Sequence, residues 1–183
     1  MNTIEALIGR RTAHHYTTEP VPQDWVVEAL EAAIRAPNHK LTNPWRFFQI
    51  GAQTRPEIVE IALEAKRAFR EITSADEAAI RSKVGDSSVL ILVGQALAKE
   101  EARRKEDYAS VACAIQNFSL AMWDHGVATK WSTGPFVTHE KTYELLGIDP
   151  KEIELVGAVF AGYPKVIPQT PRTPLSEVFR VLP

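Results

Sequence analysis

Arg10, Arg11 and Thr12 stand in succession directly after a short apolar-striped segment that ends at Gly9. Two guanidiniums, a hydroxyl and backbone N–H groups outside a helix suit a phosphate dianion, because charge-assisted and bidentate donors are its strong partners. Taken alone, such a triplet is more often a solvated basic patch. Two further clusters shift that balance. Arg35-Ala36-Pro37-Asn38-His39-Lys40-Leu41-Thr42-Asn43-Pro44-Trp45-Arg46-Phe47 puts basic and amide groups on a loop between a helix and an aromatic strand. Gly126-Val127-Ala128-Thr129-Lys130-Trp131-Ser132-Thr133-Gly134 puts a flat indole and two hydroxyls where a strand runs into a turn. Phosphate binders, amides and a flat aromatic together could hold a planar cofactor with a phosphate tail.

Other chemistries have no motif to stand on. The chain contains no G-x-S-x-G, H-E-x-x-H, P-loop or G-x-G-x-x-G pattern. Cys113, between Ala112 and Ala114 in a helical stretch, reads as a small core residue. His14 and His15 are adjacent, so on an extended segment they point to opposite sides and make a poor metal pair.

The elements that must position these residues follow from patterning. Asn2 and Glu5 make a capping signal before the stripe Ile4, Leu7, Ile8, with Gly9 as terminator. Val26, Val27, Leu30, Ala33 and Ile34 repeat at helical spacing from near Pro22 until Pro37. Residues 38–44 form a polar loop, and Trp45 to Ile50 reads as a strand. A helix is expected from Thr54 to about Thr73, with Ile58, Ile61, Ala62, Ala65 and Phe69 on one face. Ser74-Ala75-Asp76-Glu77 resembles a capping box for the next one. Val89 to Val93 is a continuous apolar run of central-strand type. The longest helix, Glu100 to His125, is apolar around much of its circumference, as a buried helix is. Val127–Trp131 and Leu155–Ala161 are further strands, with a helix from Thr138 closed by Gly147 between them. After Gly162 the chain is proline-rich and extended, yet Leu175, Val178 and Phe179 imply that it docks on a surface.

The chain has 183 residues, 45% hydrophobic and 24% charged, so one domain spanning 1–183 with its own core is expected. A formal charge of −2 offers no global basic field for nucleic acid, and no apolar run approaches the roughly 20 residues that cross a bilayer. The opening Met1-Asn2-Thr3-Ile4-Glu5 lacks a signal-peptide pattern and the single cysteine cannot form an internal disulfide, so a cytoplasmic location is expected. Four or five strands with flanking helices give α+β or α/β, a choice that periodicity leaves open.

In order along the chain, Arg10-Arg11-Thr12, Ala36-Pro37-Asn38-His39 ending in Asn43-Pro44-Trp45-Arg46-Phe47, and Thr129-Lys130-Trp131-Ser132-Thr133-Gly134 resemble the three motifs of the small FMN-dependent branch of the nitroreductase family. Gly157 to Gly162 resembles that family's terminal strand. The resemblance implies an α+β fold with a central, mostly antiparallel sheet flanked by helices. It also implies an intertwined homodimer with two FMN sites at the interface. By position, Arg10, Arg11 and Thr12 would hold the FMN phosphate and ribityl. Trp131, Ser132 and Thr133 would come from the same subunit, and Arg35 and His39 from the other. Arg172 resembles a tail arginine that meets the phosphate in some members. Two positions depart from the pattern: Asn43 stands for the usual Gln and Ser132 for the usual Arg, which alters the local charge. The chain is also short for the family, which implies an open site.

The implied activity is transfer of two electrons from NAD(P)H through the flavin to a small aromatic oxidant, a nitroaromatic or quinone. One shared site makes this ping-pong, and no protein nucleophile is required. Other redox chemistry on the same scaffold, such as dehalogenation or flavin breakdown, is the alternative, as are a flavin-binding regulatory role without turnover and a dimer that has lost its flavin.

Overall fold

The computed structural model describes residues 1–182. Its helices are α1 (Thr3–Gly9), α2 (Gln23–Ala33), α3 (Arg55–Arg67), α4 (Ser74–Gly85), α5 (Glu101–Asp124), α6 (Glu140–Leu146) and the single turn α7 (Leu175–Val178). Its strands are β1 (Trp45–Gln49), β2 (Val89–Ala96), β3 (Ala128–Ser132) and β4 (Ile153–Gly162). The strands form one sheet in the order β1-β2-β4-β3, with every pair antiparallel. This settles the class as α+β.

Helix ends follow the local chemistry. Asn2 accepts from the Glu5 N–H while Glu5 reaches back to the Asn2 N–H, a full capping box on α1. The box that starts α4 is one residue earlier than expected. Thr73 is the cap and Asp76 its partner, which makes Ser74 the first helical residue. Helix α3 stops at Arg67, short of Thr73, and Phe69 lies outside it and exposed. Gly147 closes α6 at φ 64°, a left-handed position that glycine takes without steric cost.

β2 and β4 are buried on both faces, so their apolar runs are continuous rather than alternating. On one face α3, α4 and α6 cover Leu90, Leu92, Ala158 and Phe160. On the other α2 and α5 cover Ile91, Val93, Val159 and Ala161. The loop after α2 is a 3-10 turn (His39–Leu41) with three non-glycine residues at positive φ: Lys40 at 63°, Leu41 at 52° and Asn43 at 47°. Asn38 holds it: its Oδ1 accepts from the Asn43 N–H at 2.7 Å and its Nδ2 donates to Thr42 Oγ1 at 3.0 Å. Thr42 in turn donates to the buried Asp107 at 2.5 Å.

Several apolar residues expected inside are outside. Ile4, Leu7 and Ile8 of α1 are exposed, as is Tyr108 on α5. Cys113 is exposed rather than a core residue, because α5 turns its Ala109–Cys113 side away from the sheet. Leu175, Val178 and Phe179 in the tail are exposed too, so they dock on no surface of their own chain. Among the described residues, no helix is long and apolar enough to cross a membrane, and no group of three His, Cys, Asp or Glu is placed to hold a metal ion.

Candidate functional site

The site is built where the chain leaves α1. Arg10 caps the helix in extended conformation, and its N–H donates to the Ala6 carbonyl. The chain then runs beside the edge strand β3, with Thr12 forming a parallel bridge to Thr129. This bridge keeps residues 10–12 out of a helix, as expected.

The two neighbouring arginines have different employment. Arg11 Nη1 donates to the carbonyls of Ile8 (2.6 Å), Gly9 (3.2 Å) and Arg10 (3.0 Å). These carbonyls have no partner inside α1, so Arg11 acts as a side-chain cap of the helix end. Its guanidinium is therefore partly committed to structure, which the sequence did not announce. Arg10 makes no such contacts. Burial holds its guanidinium below the ordinary arginine value, and the nearby charges of Arg172 and then Arg11 act in the same direction. The tail thus returns Arg172 to the neighbourhood of Arg10. Among the described residues, none of the three takes part in an ion pair.

Beside them is a cleft of about 190 Å³, lined by Arg10 and Thr12, by Thr129 and Trp131 of β3, and by Ala112, Ile115, Gln116 and Ser119 of α5. Sequence reasoning missed the α5 wall. The available signal was Gln116 and Ser119, polar residues nearly one turn apart in an apolar stretch. Ser119 Oγ donates to the Ile115 carbonyl at 2.8 Å, which ties it to its own helix. Trp131 lies across Gly157 of β4 and its Nε1 donates to the Val156 carbonyl at 3.4 Å. A Cβ at position 157 would stand 2.0 Å from Trp131 Nε1, so glycine makes room for the indole.

Strand alternation divides the rest of the β3 segment. Thr129 and Trp131 pair with Ala161 and Val159 on the α5 face, while Lys130 and Ser132 pair with Phe160 and Ala158 on the α3–α4 face. The Ser132 hydroxyl accepts from Lys83 Nζ of α4 at 3.3 Å and stands away from the Arg10 cleft. Thr133 is exposed in the turn that follows. Lys83 is a basic group that no motif indicated. Burial, then Lys130 and Lys66, holds its ammonium below the ordinary lysine value.

Arg35 and His39 lie beyond the far end of α2, both exposed. Eleven residues at about 1.5 Å each make that helix about 16 Å long. His39 Nδ1 is 2.9 Å from Glu106 on α5, a carboxylate that Arg103 also reaches at 2.6 Å. The His39 hydrogen bond and then the Arg103 charge hold Glu106 below its usual range. Neither Arg35 nor His39 lines the Arg10 cleft. One chain thus gathers Arg10, Thr12 and Trp131, with Arg11 and Arg172 close by, and leaves the Ser132 hydroxyl, Thr133, Arg35 and His39 apart.

Known proteins share this chain's sequence pattern and its fold. A Bacillus subtilis protein with the provisional name NAD(P)H nitroreductase YfhC is 28% identical over 174 residues, 93% of this chain and 89% of that protein. The crystal structure of a nitroreductase-like family protein from Bacillus cereus superposes with TM-score 0.83 at 25% identity, over 100% of this chain and 96% of that one. A Desulfovibrio desulfuricans protein, provisionally termed a nitroreductase and solved in complex with FMN, superposes with TM-score 0.77 at 26% identity over 100% and 98% of the two chains. The model of the nitroreductase family matches residues 7–163, from the last turn of α1 to just past β4. The chain belongs to the nitroreductase family and is an oxidoreductase.

Proposed function

We propose that this protein is an FMN-dependent oxidoreductase that works as a homodimer, passing two electrons from NAD(P)H to nitroaromatic or quinone-type acceptors by a ping-pong mechanism. The observation that carries the reading is the partly buried Arg10, which lines one end of a cleft floored by Thr129 and Trp131, feels the charges of Arg172 and Arg11, and has no carboxylate within ion-pairing distance among the described residues. Covering the Arg10 guanidinium beside other positive charges is costly unless an anion joins it. A phosphate monoester fits, since guanidiniums match its oxygens bidentately. The relative from Desulfovibrio desulfuricans was solved with FMN, which supports the same assignment for this chain.

When bound, FMN supplies the two-electron redox chemistry, and the chain's own residues bind and orient it. Arg10 and Arg172 would hold the phosphate, with Arg11 adding charge while it caps α1. The Thr12 hydroxyl would serve the ribityl chain. Trp131, fixed against Gly157, offers a flat wall, and the segment through Ser132 and Thr133 would contribute mainly by its backbone, because the Ser132 hydroxyl faces the other side of the sheet.

The cleft of a single chain is smaller than the roughly 300–1,000 Å³ typical of ligand pockets. Exposed Ile4, Leu7, Ile8 and Tyr108 lie on the two helices, α1 and α5, that flank it. Both observations support a second copy completing the walls, with Arg35 and His39 supplied across the interface. Two double variants test that sharing, Arg10→Ala with Arg172→Ala and Arg35→Ala with His39→Ala. Mixed dimers of the two should regain activity, since one site would then carry no substitution. No regain despite proven subunit exchange would contradict sharing. For the catalytic reading, initial rates with NADPH and a quinone varied together should give parallel double-reciprocal lines. Absence of any NAD(P)H-dependent turnover with either acceptor class would refute it.

A further inference from the structure

On the opposite face of β3 from the Arg10 cleft is a second basic cluster. Lys83 of α4 and Lys130 of β3 are both partly buried. Lys83 Nζ donates to Ser132 Oγ at 3.3 Å and lies 5.6 Å from the centre of the Phe160 ring. Lys130 Nζ is 2.9 Å from His14 Nδ1, so the neutral imidazole accepts from the ammonium. Lys66 adds a further positive charge to the Lys83 environment. Among the described residues, no carboxylate stands within ion-pairing distance of Lys83 or Lys130.

Acids are not scarce in this part of the molecule. Arg70 pairs with Asp76, Arg81 with Glu60 and Lys141 with Glu64 across α3, α4 and α6. Among the described residues, Lys83 and Lys130 stay unpaired although both are partly covered. Covering an ammonium without a counter-ion is costly, and placing two near each other adds repulsion. Burial holds both below the ordinary lysine value, and for Lys83 the charge of Lys130 adds to it. An anion at this place would relieve both costs.

The place narrows the anion. Because Thr12 bridges Thr129, segments 12–14 and 129–132 lie side by side. They present Thr12 and Trp131 to the cleft, and Lys130 with Ser132 to the cluster. The cluster is therefore one strand's width from the cleft but outside it. An occupant of the cleft has its phosphate needs met by arginines, whereas a long co-substrate that reaches into the cleft must rest its other end beyond the rim. Lysines acting as point charges, with a hydroxyl beside them, suit a compact phosphate monoester. We propose that Lys83, Lys130 and Ser132 form a rim site for the 2′-phosphate of the dinucleotide reductant, which makes the protein select NADPH over NADH. This inference rests on the flavin reading of the neighbouring cleft.

The test titrates FMN-loaded protein with 2′,5′-ADP and with 5′-AMP by calorimetry at low salt. Loss of charge-assisted contacts is worth about tenfold in affinity or more, so 2′,5′-ADP should bind at least about tenfold more tightly. A Lys83→Gln, Lys130→Gln variant should lose that preference, while Lys83→Arg with Lys130→Arg should retain most of it. The KM for NADPH should rise in the glutamine variant, with that for NADH unmoved. If the double variant fails to fold, Lys130→Gln alone, on the edge strand, should still lose most of the preference. Equal binding of the two nucleotides by the parent, or a preference surviving the glutamine changes, overturns the inference. The visible spectrum of each sample keeps the two readings apart. A full flavin spectrum without nucleotide preference refutes only the rim site, whereas a chain that never takes up FMN refutes the flavin reading itself.

Discussion

The α3–α4–α6 layer and the α1–α5–tail region answer to different requirements. In the first, surface charges are matched: Arg67 with Glu77, Arg70 with Asp76, Arg81 with Glu60, Lys141 with Glu64. In the second, the charges of Arg172 and Arg11 act on Arg10, none of the three is in an ion pair among the described residues, and Ile4, Leu7, Ile8, Leu175, Val178 and Phe179 are exposed. Away from Lys83 at the β3 edge, those charges of the first region are answered within one chain. The second holds charge and apolar surface that one chain cannot satisfy, which is the condition expected of a surface awaiting an anion and a partner. Exposed ion pairs of the first kind contribute little to stability, so the difference between the regions lies in what each is prepared to bind.

The largest effects are expected at the arginines. Each charge-assisted contact to a partly desolvated phosphate is worth roughly 1.5–3 kcal/mol, or about tenfold to a hundredfold in affinity. Arg10→Ala should weaken FMN binding by that factor and Arg172→Ala by up to the same, with the double variant near their product. Flavin fluorescence quenching measures it; unchanged affinity in both would remove them from the site. A smaller effect is expected at Gly157→Ala, where the new methyl would displace the Trp131 indole. Flavin affinity should fall several-fold and tryptophan emission should shift, while a Leu155→Ile control in the core should leave the emission alone. The smallest effect on binding is expected at Arg11→Ala. That change should act on stability, by about 1–2 kcal/mol, because it uncovers the end of α1. A melting curve identical to that of the parent, combined with a large loss of flavin, would reverse the roles of Arg10 and Arg11.

Much of this could be read from residue order. The sheet strands, the long α5 and the caps at Asn2 and Gly147 follow from periodicity and capping chemistry, and the R-R-T triplet, read together with the two later clusters, raised the expectation of a phosphate site. What escaped the sequence shares a physical cause. That Arg11 turns back onto α1, that Ser132 faces Lys83 and that α5 walls the cleft with Gln116 depend on which face of an element meets which neighbour. The same holds for Cys113: helical spacing showed an apolar α5, but not that the sheet covers only one side of it. Sheet order was equally hidden, because β2 and β4 are apolar on both faces and carry no alternation to orient them.

The central claim is that the arginine cluster holds the phosphate of FMN. The most direct test denatures purified protein and identifies the released chromophore by mass spectrometry, for the parent and for Arg10→Ala with Arg172→Ala, after incubation with excess FMN and FAD and removal of unbound flavin. The account predicts FMN from the parent in a one-to-one ratio with the chain and little or none from the variant. Recovery of FAD or heme, of no chromophore from the parent, or of equal FMN from both proteins would contradict it.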